Sequence, residues 1–475
     1  FQLLSIVKER PELIERVETL LMIPDLFNYM LTGEKITEYS IASTTQLVDA
    51  NNRNWSDRVI NALNIPKYIF TKIVPSGTII GELSESICEE LGVNKVDVVA
   101  VASHDTQSAL ISVPTEEKDF IFLSCGTWSL IGTELDSPII NEKSERYNIT
   151  NEGGYEGKIT FLKNIIGLWL IQESRRQWIR EGNEYSFGEL EELASKTESL
   201  KCFIDPDAQE FVAQGNIPKR IQEYCIRTNQ AVPESVAQIV RCINESLALK
   251  YRKALEEIED CTEKHYDTIY MVGGGIQSKL LCELTANICG RKVVAGPVEA
   301  TVLGNLVLQL IATGEVEGLQ VARNLISKSQ DIKIYEPEDK EEWDKTYNKF
   351  LELVKNQSGD IAYLENTEKF EKAKYITPVI SKEDGYVKEI NAEQIGKFAC
   401  GLGAGRIRKE DNIDNTVGII LNKKIADEVK NGDILATVYS NQKIAETNKY
   451  DEILNIFKIS KQEQEIPKTI IDIIK

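Results

Sequence analysis

Two successive segments of this 475-residue chain each predict a strand, a glycine-containing turn and a helix, and this order constrains the fold most. The first segment is TIYMVGGGIQSKLLCELTANICG and the second is KVVAGPVEATVLGNLVLQLIATGE. Strands that alternate with helices are typical of parallel sheets covered by helices. The chain is therefore predicted to have an α/β architecture.

Other segments extend this pattern. The Val-rich run VDVVAVAS predicts a buried strand. Two β-type runs flank Gly126 and Thr127 and predict a hairpin. Residues 1–30, 164–180 and 234–260 carry apolar side chains at three- and four-residue spacing, which predicts helices.

The last part of the chain has a different character. Residues 335–375 are dense in Glu and Lys, and residues 376–440 hold short β-type runs broken by glycine. We predict a main boundary near residues 350–375 and a separate small β-rich domain after it.

The charge excludes some classes of partner. Lys and Arg number 55 against 75 Asp and Glu, so the net charge is -20 and phosphate backbones and anionic lipids are repelled. We expect no nucleic-acid partner and no membrane partner. Two histidines rule out a His-rich metal site, and nine cysteines without a C-x-x-C pair indicate a reducing, cytoplasmic environment.

Asp105 is the first candidate for chemistry, because it follows the Val-rich predicted strand. Ligands of open α/β sheets gather at the carboxyl ends of strands, where a carboxylate can accept a proton from a substrate hydroxyl. The alternative is that Asp105 or Ser103 only caps the next helix, and residue type alone favours the cap.

Two glycine-containing turns are candidates for ligand contact. The turn at Gly126 and Thr127 can offer backbone N–H groups and a hydroxyl to a phosphate, although most such pairs are ordinary turns. The three glycines from Gly273 to Gly275 lie between a predicted strand and helix, where a ligand can approach the backbone closely. A connection without a ligand is the alternative for both turns.

Asn164 and Gln172 are eight residues apart in a predicted helix, so they lie on similar sides of it. On the residues alone, the better interpretation is that both face solvent.

Seven motifs, taken in order, closely resemble the rhamnulokinase branch of the FGGY family of sugar kinases: LLMIPDLFNYMLTGE, VVAVASHDTQSA, FLSCGTWSLIG, NITNEGGYEG, LKNIIGLWLIQES, YMVGGGIQ and VAGPVEATVLGN. The resemblance runs from about residue 1 to about residue 350. It implies an actin-like (ribonuclease H-like) fold of two α/β domains that close over a cleft. The implied reaction is transfer of the γ-phosphoryl group of ATP to the C1 hydroxyl of L-rhamnulose, with Mg²⁺.

The resemblance also implies roles for residues of the sugar site. Asp105 would be the general base that takes the hydroxyl proton. His104 and Thr106 would flank it, and Asn164 would contact the sugar.

For the nucleotide, the resemblance implies that Thr127 meets the ATP phosphates and that Gln172 and Gly274 contact the nucleotide. The first domain of the family opens with a D-x-G-type loop for the phosphates and Mg²⁺, and no such loop precedes Asp105. We therefore expect an incomplete first domain and little kinase activity from this chain alone.

The tail KYITPVISKEDGYVKEINAEQIGKFACGLGAGRI resembles the C-terminal domain of pyrimidine-nucleoside (thymidine) phosphorylases. This second resemblance carries over no catalytic residue. The predicted domains are a remnant of the first, sugar-binding kinase domain (1–113), a nucleotide-binding kinase domain (114–350), a linker (351–375) and a small α+β phosphorylase-type domain (376–475).

Two alternatives to a kinase stay open at this point. In the first, the chain is a non-catalytic product of fusion or deletion. In the second, it is a pyrimidine-nucleoside phosphorylase, an activity that only its tail suggests. The oligomeric state is not predicted by any of these features.

Overall fold

The computed structural model describes residues 2–338, 340–358, 373–405, 414, 416–445 and 447–464. The chain divides into two compact units, Phe1–Val354 and Lys355–Lys475. Among the described residues, no helix combines the length and apolar content that a membrane crossing requires.

The helices of the described residues are α1 (Gln2–Glu9), α2 (Pro11–Ile14), α3 (Ile23–Thr32), α4 (Tyr39–Ser43), α5 (Asp57–Ala62), α6 (Glu85–Leu91), α7 (Asp105–Ile111), α8 (Glu142–Arg146), α9 (Trp169–Arg180), α10 (Phe187–Ser195), α11 (Ile217–Arg227), α12 (Val236–Thr262), α13 (Lys279–Cys289), α14 (Ala300–Ala312), α15 (Leu319–Ser329), α16 (Lys340–Ser358), α17 (Ala392–Ala399) and α18 (Asn448–Asn455).

The strands are β1 (Ile36–Glu38), β2 (Val48–Asp49), β3 (Asn54–Trp55), β4 (Lys72–Val74), β5 (Thr78–Glu82), β6 (Asp97–Ala100), β7 (Ile121–Cys125), β8 (Trp128–Leu135), β9 (Thr150–Gly153), β10 (Ile159–Ile166), β11 (Thr268–Val272), β12 (Lys292–Ala295), β13 (Lys333–Tyr335), β14 (Tyr375–Ile380), β15 (Gly385–Ile390), β16 (Gly418–Leu421), β17 (Glu428–Val429), β18 (Ile434–Ser440) and β19 (Phe457–Ser460).

A seven-stranded sheet in the order β13-β12-β11-β7-β8-β10-β9 forms the centre of the first unit. Strand β11 runs parallel to both β12 and β7, and the other pairs are antiparallel. The two predicted strand–turn–helix segments become β11 with α13 and β12 with α14, which confirms the α/β prediction.

Helices cover both faces of this sheet because its strands are apolar on both faces. In β7, Ile121 and Leu123 join the core cluster that includes α12, whereas Phe122 joins a second cluster with α7 and α14. Side chains alternate between the faces of a strand, so one continuous apolar run supplies both cores. The result is a helix–sheet–helix sandwich.

Local signals set the ends of the longest helix, α12. Ser235 accepts a hydrogen bond from the Gln238 backbone, and the Gln238 side chain bonds back to the Ser235 backbone, which forms a capping box. The helix ends at Thr262, and the next residue, Glu263, has a left-handed conformation. The helix predicted over residues 234–260 is confirmed.

The residues before α7 form smaller pieces. Three two-stranded sheets pair β1 with β4, β2 with β3 and β5 with β6. The strand predicted from VDVVAVAS is present as β6, but it is shorter and has β5 as its described partner. The predicted helix over residues 1–30 is three helices, since Pro11 and Pro24 each lie in the first turn of a new helix.

The helix predicted over residues 164–180 is wrong at its start. Residues up to Ile166 belong to β10, and α9 begins at Trp169, after Gly167. A Cβ at Gly167 would lie 2.5 Å from the Ser129 hydroxyl, so the chain passes too close to its neighbour for any larger residue. Asn164 therefore lies in a strand and Gln172 in a helix.

The second unit is small and has its own core. Its strands form two three-stranded sheets, β14-β18-β16 and β17-β15-β19, accompanied by α17 and α18. Val379, Val387, Val438 and Ile453 are among its fully buried side chains. This mixture of sheets and helices agrees with the predicted α+β domain.

Candidate active site

Asp105 begins α7 at the wall of a cavity of about 630 Å³. Its side chain is 79% exposed, and its Oδ1 accepts hydrogen bonds from the backbone N–H (2.7 Å) and the hydroxyl (3.3 Å) of Thr106. The residue that precedes α7 is His104, which makes no side-chain capping bond, and the Ser103 hydroxyl donates to Val101 O. The capping interpretation of Asp105 and Ser103 is therefore wrong.

Glu38 holds the turn that leads to Asp105. Its buried carboxylate accepts hydrogen bonds from the Ser103 N–H (3.1 Å), the Ser76 hydroxyl and the Ser40 hydroxyl (2.6 Å). The Ser40 hydroxyl in turn accepts the N–H of His104 at 3.0 Å. A buried carboxylate satisfied in this way fixes its surroundings, so the position of Asp105 depends on a residue in β1.

His104 is paired with a second buried carboxylate. Its Nδ1 lies 3.0 Å from Glu152 Oε2, and its Nε2 lies 3.7 Å from Asp105 Oδ1. Burial favours the neutral imidazole, but the hydrogen bond and charge of Glu152, with Asp105 and Glu38 nearby, outweigh it and raise the pKa of His104. These carboxylates therefore favour the positive form of His104, against the effect of burial.

The hairpin turn between β7 and β8 lines the same cavity as Asp105. The carbonyls of Gly126 and Thr127 accept N–H groups from the start of α9, including Leu168 (2.9 Å) and Trp169 (3.1 Å). The Thr127 hydroxyl donates to Gln172 Oε1 at 3.2 Å. The turn is thus fixed to the N-terminal end of a helix, where anionic groups are favoured.

The three consecutive glycines, Gly273 to Gly275, each lie in a different local environment. Gly273 has φ +89°, a conformation that favours glycine. A Cβ at Gly275 would lie 2.2 Å from the sulfur of Cys125. Gly274 has open space where a Cβ would be and lines the cavity, so its backbone is accessible to a ligand.

A second cavity of about 350 Å³ adjoins the first, and Gly274 lines both. Its walls are mostly apolar and include Ile171 and Phe187, together with Gln172. Asn244 also lines it and donates to Val240 O at 2.9 Å, and its buried Oδ1 has no partner among the described residues. An apolar slot with a small number of polar groups is typical of a small-molecule site.

A divalent cation fits the carboxylates of the larger cavity. Asp105 and Glu299 both line it, and Glu299, at the start of α14, makes no side-chain capping bond. Mg²⁺ is usually held by one or two carboxylates together with substrate phosphates and water. Both residues are carboxylates, which is the type of ligand that Mg²⁺ prefers.

The structure brings most of the candidate residues together. The following line the larger cavity: His104, Asp105, Thr106, Thr127, Asn164 and Gly274. Gln172 lines the adjoining cavity and reaches the first one through its bond to Thr127.

Sequence reasoning missed four residues of this region: Glu38, Glu152, Glu299 and Asn244. Glu152 and Glu299 lie in the quoted motifs NITNEGGYEG and VAGPVEATVLGN, which were the available signal. Glu38 and Asn244 carry no local pattern that separates them from ordinary surface or core positions.

Comparison with known families identifies the class of protein to which this helix–sheet–helix sandwich and its two-part cavity belong. The N-terminal domain of the FGGY family of carbohydrate kinases matches residues 1–112, and the C-terminal domain of that family matches residues 121–313. The C-terminal domain of pyrimidine nucleoside phosphorylase matches residues 386–460. The chain belongs to the FGGY family of carbohydrate kinases.

Curated relatives are rhamnulokinases. That of Bacteroides thetaiotaomicron is 41% identical over 355 residues, which cover 75% of this chain and 72% of the relative. That of Halalkalibacterium halodurans is 44% identical over 341 residues, 72% of each chain.

Solved structures support the fold. The ligand-bound xylulose kinase from Lactobacillus acidophilus superposes with a TM-score of 0.60 at 18% identity, over 78% of this chain and 73% of that chain. The Plasmodium falciparum glycerol kinase with ADP superposes with a TM-score of 0.59 at 16% identity, over 75% and 71%. The predicted actin-like sugar kinase fold is confirmed.

The expectation of an incomplete first domain is not supported, because the N-terminal family domain matches from residue 1. The expected weak activity of the chain rested on the absence of a D-x-G-type loop before Asp105, and it stays a prediction.

Proposed function

We propose that this chain transfers the γ-phosphoryl group of ATP to the C1 hydroxyl of L-rhamnulose, forming L-rhamnulose 1-phosphate and ADP. The observation that carries the proposal is the exposed carboxylate of Asp105 on the same cavity as Thr127 and Gly274. The rhamnulokinase relatives support the choice of sugar.

Asp105 is assigned as the general base. Both hydrogen bonds from Thr106 go to Oδ1, and Oδ2 is the oxygen that we assign to the sugar hydroxyl. As the hydroxyl oxygen attacks the γ-phosphorus, its proton passes to Asp105 and the bond to the ADP oxygen breaks. Such a base contributes roughly 10²–10⁴-fold, and alignment of the two substrates contributes more.

The nucleotide is assigned to the two cavities joined at Gly274. The apolar slot with Phe187 suits the adenine ring, and the unpartnered Oδ1 of Asn244 suits its amino group. The phosphates then extend past Gly274 toward Thr127, where the N-terminal end of α14 favours negative charge. Gln172 positions the Thr127 hydroxyl.

The sugar is assigned to the part of the larger cavity around Asp105. His104, Thr106 and Asn164 offer hydrogen-bond groups to its hydroxyls. His104 also lies next to the base, with its Nε2 3.7 Å from Asp105 Oδ1. Thr106 has a second role, because its own bonds orient the base.

Glu299, the other carboxylate of this cavity, would hold Mg²⁺ together with the phosphates. When bound, this cation neutralises phosphate charge during the transfer.

We assign the activity to the cytoplasm, since all nine cysteines are free thiols. The division into domains at 1–113, 114–350, 351–375 and 376–475 is part of the same proposal.

The test is ADP release by the full chain with ATP, Mg²⁺ and one sugar at a time. We expect the highest kcat/KM with L-rhamnulose, and lower values with D-xylulose and glycerol. A parallel reaction with uridine and inorganic phosphate should release no uracil. ADP release that does not rise when L-rhamnulose is added would contradict the proposal.

A further inference from the structure

Trp128, which directly follows Thr127, is an exposed aromatic residue that lines the larger cavity. It is 53% exposed, and of the five tryptophans, all of which the structure describes, it is the most exposed. Trp55 and Trp169 donate their indole N–H groups to backbone carbonyls, whereas no described residue bonds the indole of Trp128. The ring is therefore available to a ligand, and the phosphoryl transfer described above gives it no role.

The alternation of side chains along β8 shows which face of the sheet Trp128 occupies. Ser129 bonds the hydroxyl of Tyr251 in α12 at 2.7 Å, so its side chain points to the α12 side. Leu130 packs on the opposite side, against the cluster that includes residues of α7 and α14. Because side chains two residues apart lie on one face, Trp128 lies on the same side as Leu130 and α7, the helix that begins at Asp105.

The pairing of β8 with β10 brings this face next to a residue of the sugar site. Leu130 is the direct partner of Asn164, and directly paired residues lie on the same face. Trp128 is the diagonal neighbour of Asn164, roughly 7–8 Å away, a distance that an aromatic side chain spans. Asn164 lines the cavity and is one of the groups assigned to the sugar hydroxyls. Trp128 and Leu130 therefore border the space assigned to the sugar.

This space has a polar side and an apolar side. His104, Asp105 and Thr106 offer hydrogen-bond groups from the start of α7, whereas Trp128 and Leu130 offer a largely apolar surface. L-rhamnulose is a 6-deoxy ketose, so its C6 is a methyl group and is the one carbon that carries no oxygen. An apolar surface stabilises a methyl group but leaves a hydroxyl at the same position without a hydrogen-bond partner.

We propose that Trp128 and Leu130 form the subsite for the C6 methyl group of L-rhamnulose, and that Trp128 selects 6-deoxy ketoses over ketoses with a C6 hydroxyl. This assignment rests on the proposed function, which supplies the identity of the sugar. The matched competitor is L-fructose, because it is L-rhamnulose with one hydroxyl added at C6. An apolar subsite rejects an added hydroxyl by a moderate factor, so the expected preference is roughly 10–100-fold.

The test measures the binding of each ketose to the full chain by isothermal titration calorimetry, without ATP. The unaltered chain should bind L-rhamnulose roughly 10–100-fold more tightly than L-fructose. Trp128→Ala should weaken the binding of L-rhamnulose about 10-fold and bring the two affinities within about 3-fold of each other, because the apolar surface loses its larger member. Trp128→Phe keeps an apolar ring and should keep most of the preference.

Phe27→Ala is the matched control. Phe27, in α3, is an aromatic side chain that is 62% exposed, and it lines neither cavity. Its loss should change neither affinity. Both alanine variants should keep the unfolding temperature of the unaltered chain, since both side chains are exposed.

Tryptophan fluorescence gives a second readout that keeps an aromatic ring in place. L-rhamnulose should change the emission of the unaltered chain, and Trp128→Phe should lack most of that change while it still binds the sugar. If Trp128→Ala does not fold, this comparison decides, and a fluorescence change that Trp128→Phe retains in full overturns the proposal.

The calorimetry can overturn the proposal in three further ways. The unaltered chain could bind neither ketose or both equally, Trp128→Ala could keep the preference, or Phe27→Ala could lose it as fully as Trp128→Ala. A chain that shows the preference in binding but releases no ADP with ATP would contradict the proposed function and leave this subsite in place.

Discussion

At the scale of single residues, the site depends on two buried carboxylates, Glu38 and Glu152, which do not line the cavity. Glu38 holds Ser103, and Glu152 holds His104, so both act through the turn that presents Asp105. The resemblance identified Asp105 and His104 from the sequence. It did not identify Glu38, because the partners Ser76 and Ser103 are 38 and 65 residues away and no local pattern records such contacts.

The pair of His104 and Glu152 predicts a measurable titration. We expect the pKa of His104 to lie above its ordinary value of 6.5, and Glu152→Gln to lower it, because burial then acts without the opposing carboxylate. The chain has two histidines, so NMR of the imidazole protons resolves them, with His265 as the internal reference.

The same pair contributes to stability with a definite sign. Because the folded-state pKa of His104 is raised, its contribution is present below pH 6.5 and is lost as the pH rises through the raised value. Glu152→Gln should remove this component of the pH dependence of unfolding. A His104 titration that is identical in both proteins would contradict the pairing.

At the scale of elements, the site is positioned where glycines allow neighbouring segments of the chain to come into close contact. Strand β11 and the glycine turn pack on the end of β7, and α14 packs on α7. The sequence predicted these strands and helices because their apolar runs are long. It misplaced Asn164, because the polar spacing of Asn164 and Gln172 fits a helix as well as a strand followed by a helix.

The contact of α14 with α7 predicts the effect of one methyl group. A Cβ at Gly304 would lie 1.7 Å from the Ser108 carbonyl oxygen, so Gly304→Ala should cost about 1–3 kcal/mol in the free energy of unfolding. The control is Gly188→Ala in α10, where nothing lies within 4 Å and a gain of up to about 1 kcal/mol is expected. Denaturant unfolding measures both, and equal effects would contradict the packing.

At the scale of the whole molecule, the boundary between the two units lies within a helix that belongs to the first. Trp343, Tyr347 and Phe350 of α16 are part of the large core of the kinase unit. Asp344 pairs with Arg252 at 2.7 Å. The high content of Glu and Lys in this segment led to the prediction of a boundary and gave no sign of this packing, because three aromatic side chains are a small part of its composition.

Two shortened chains test this boundary. A chain that ends after residue 358 should keep its cooperative unfolding and its kinase activity, because the first core is complete. A chain that ends after residue 338 lacks Trp343, Tyr347 and Phe350, and losing a buried aromatic side chain costs about 3–5 kcal/mol. We expect it to be unfolded by circular dichroism. Equal stability of the two chains would contradict the assignment of α16.

The central claim is that Asp105 removes the proton from the sugar hydroxyl, and Asp105→Asn tests it most directly. The amide keeps the size of the side chain but is not a base, so steady-state ADP release with ATP and L-rhamnulose should show kcat lowered by roughly 10²–10⁴-fold, with the KM for ATP nearly unchanged. A kcat for Asp105→Asn within a few fold of that of the unaltered chain would contradict the account.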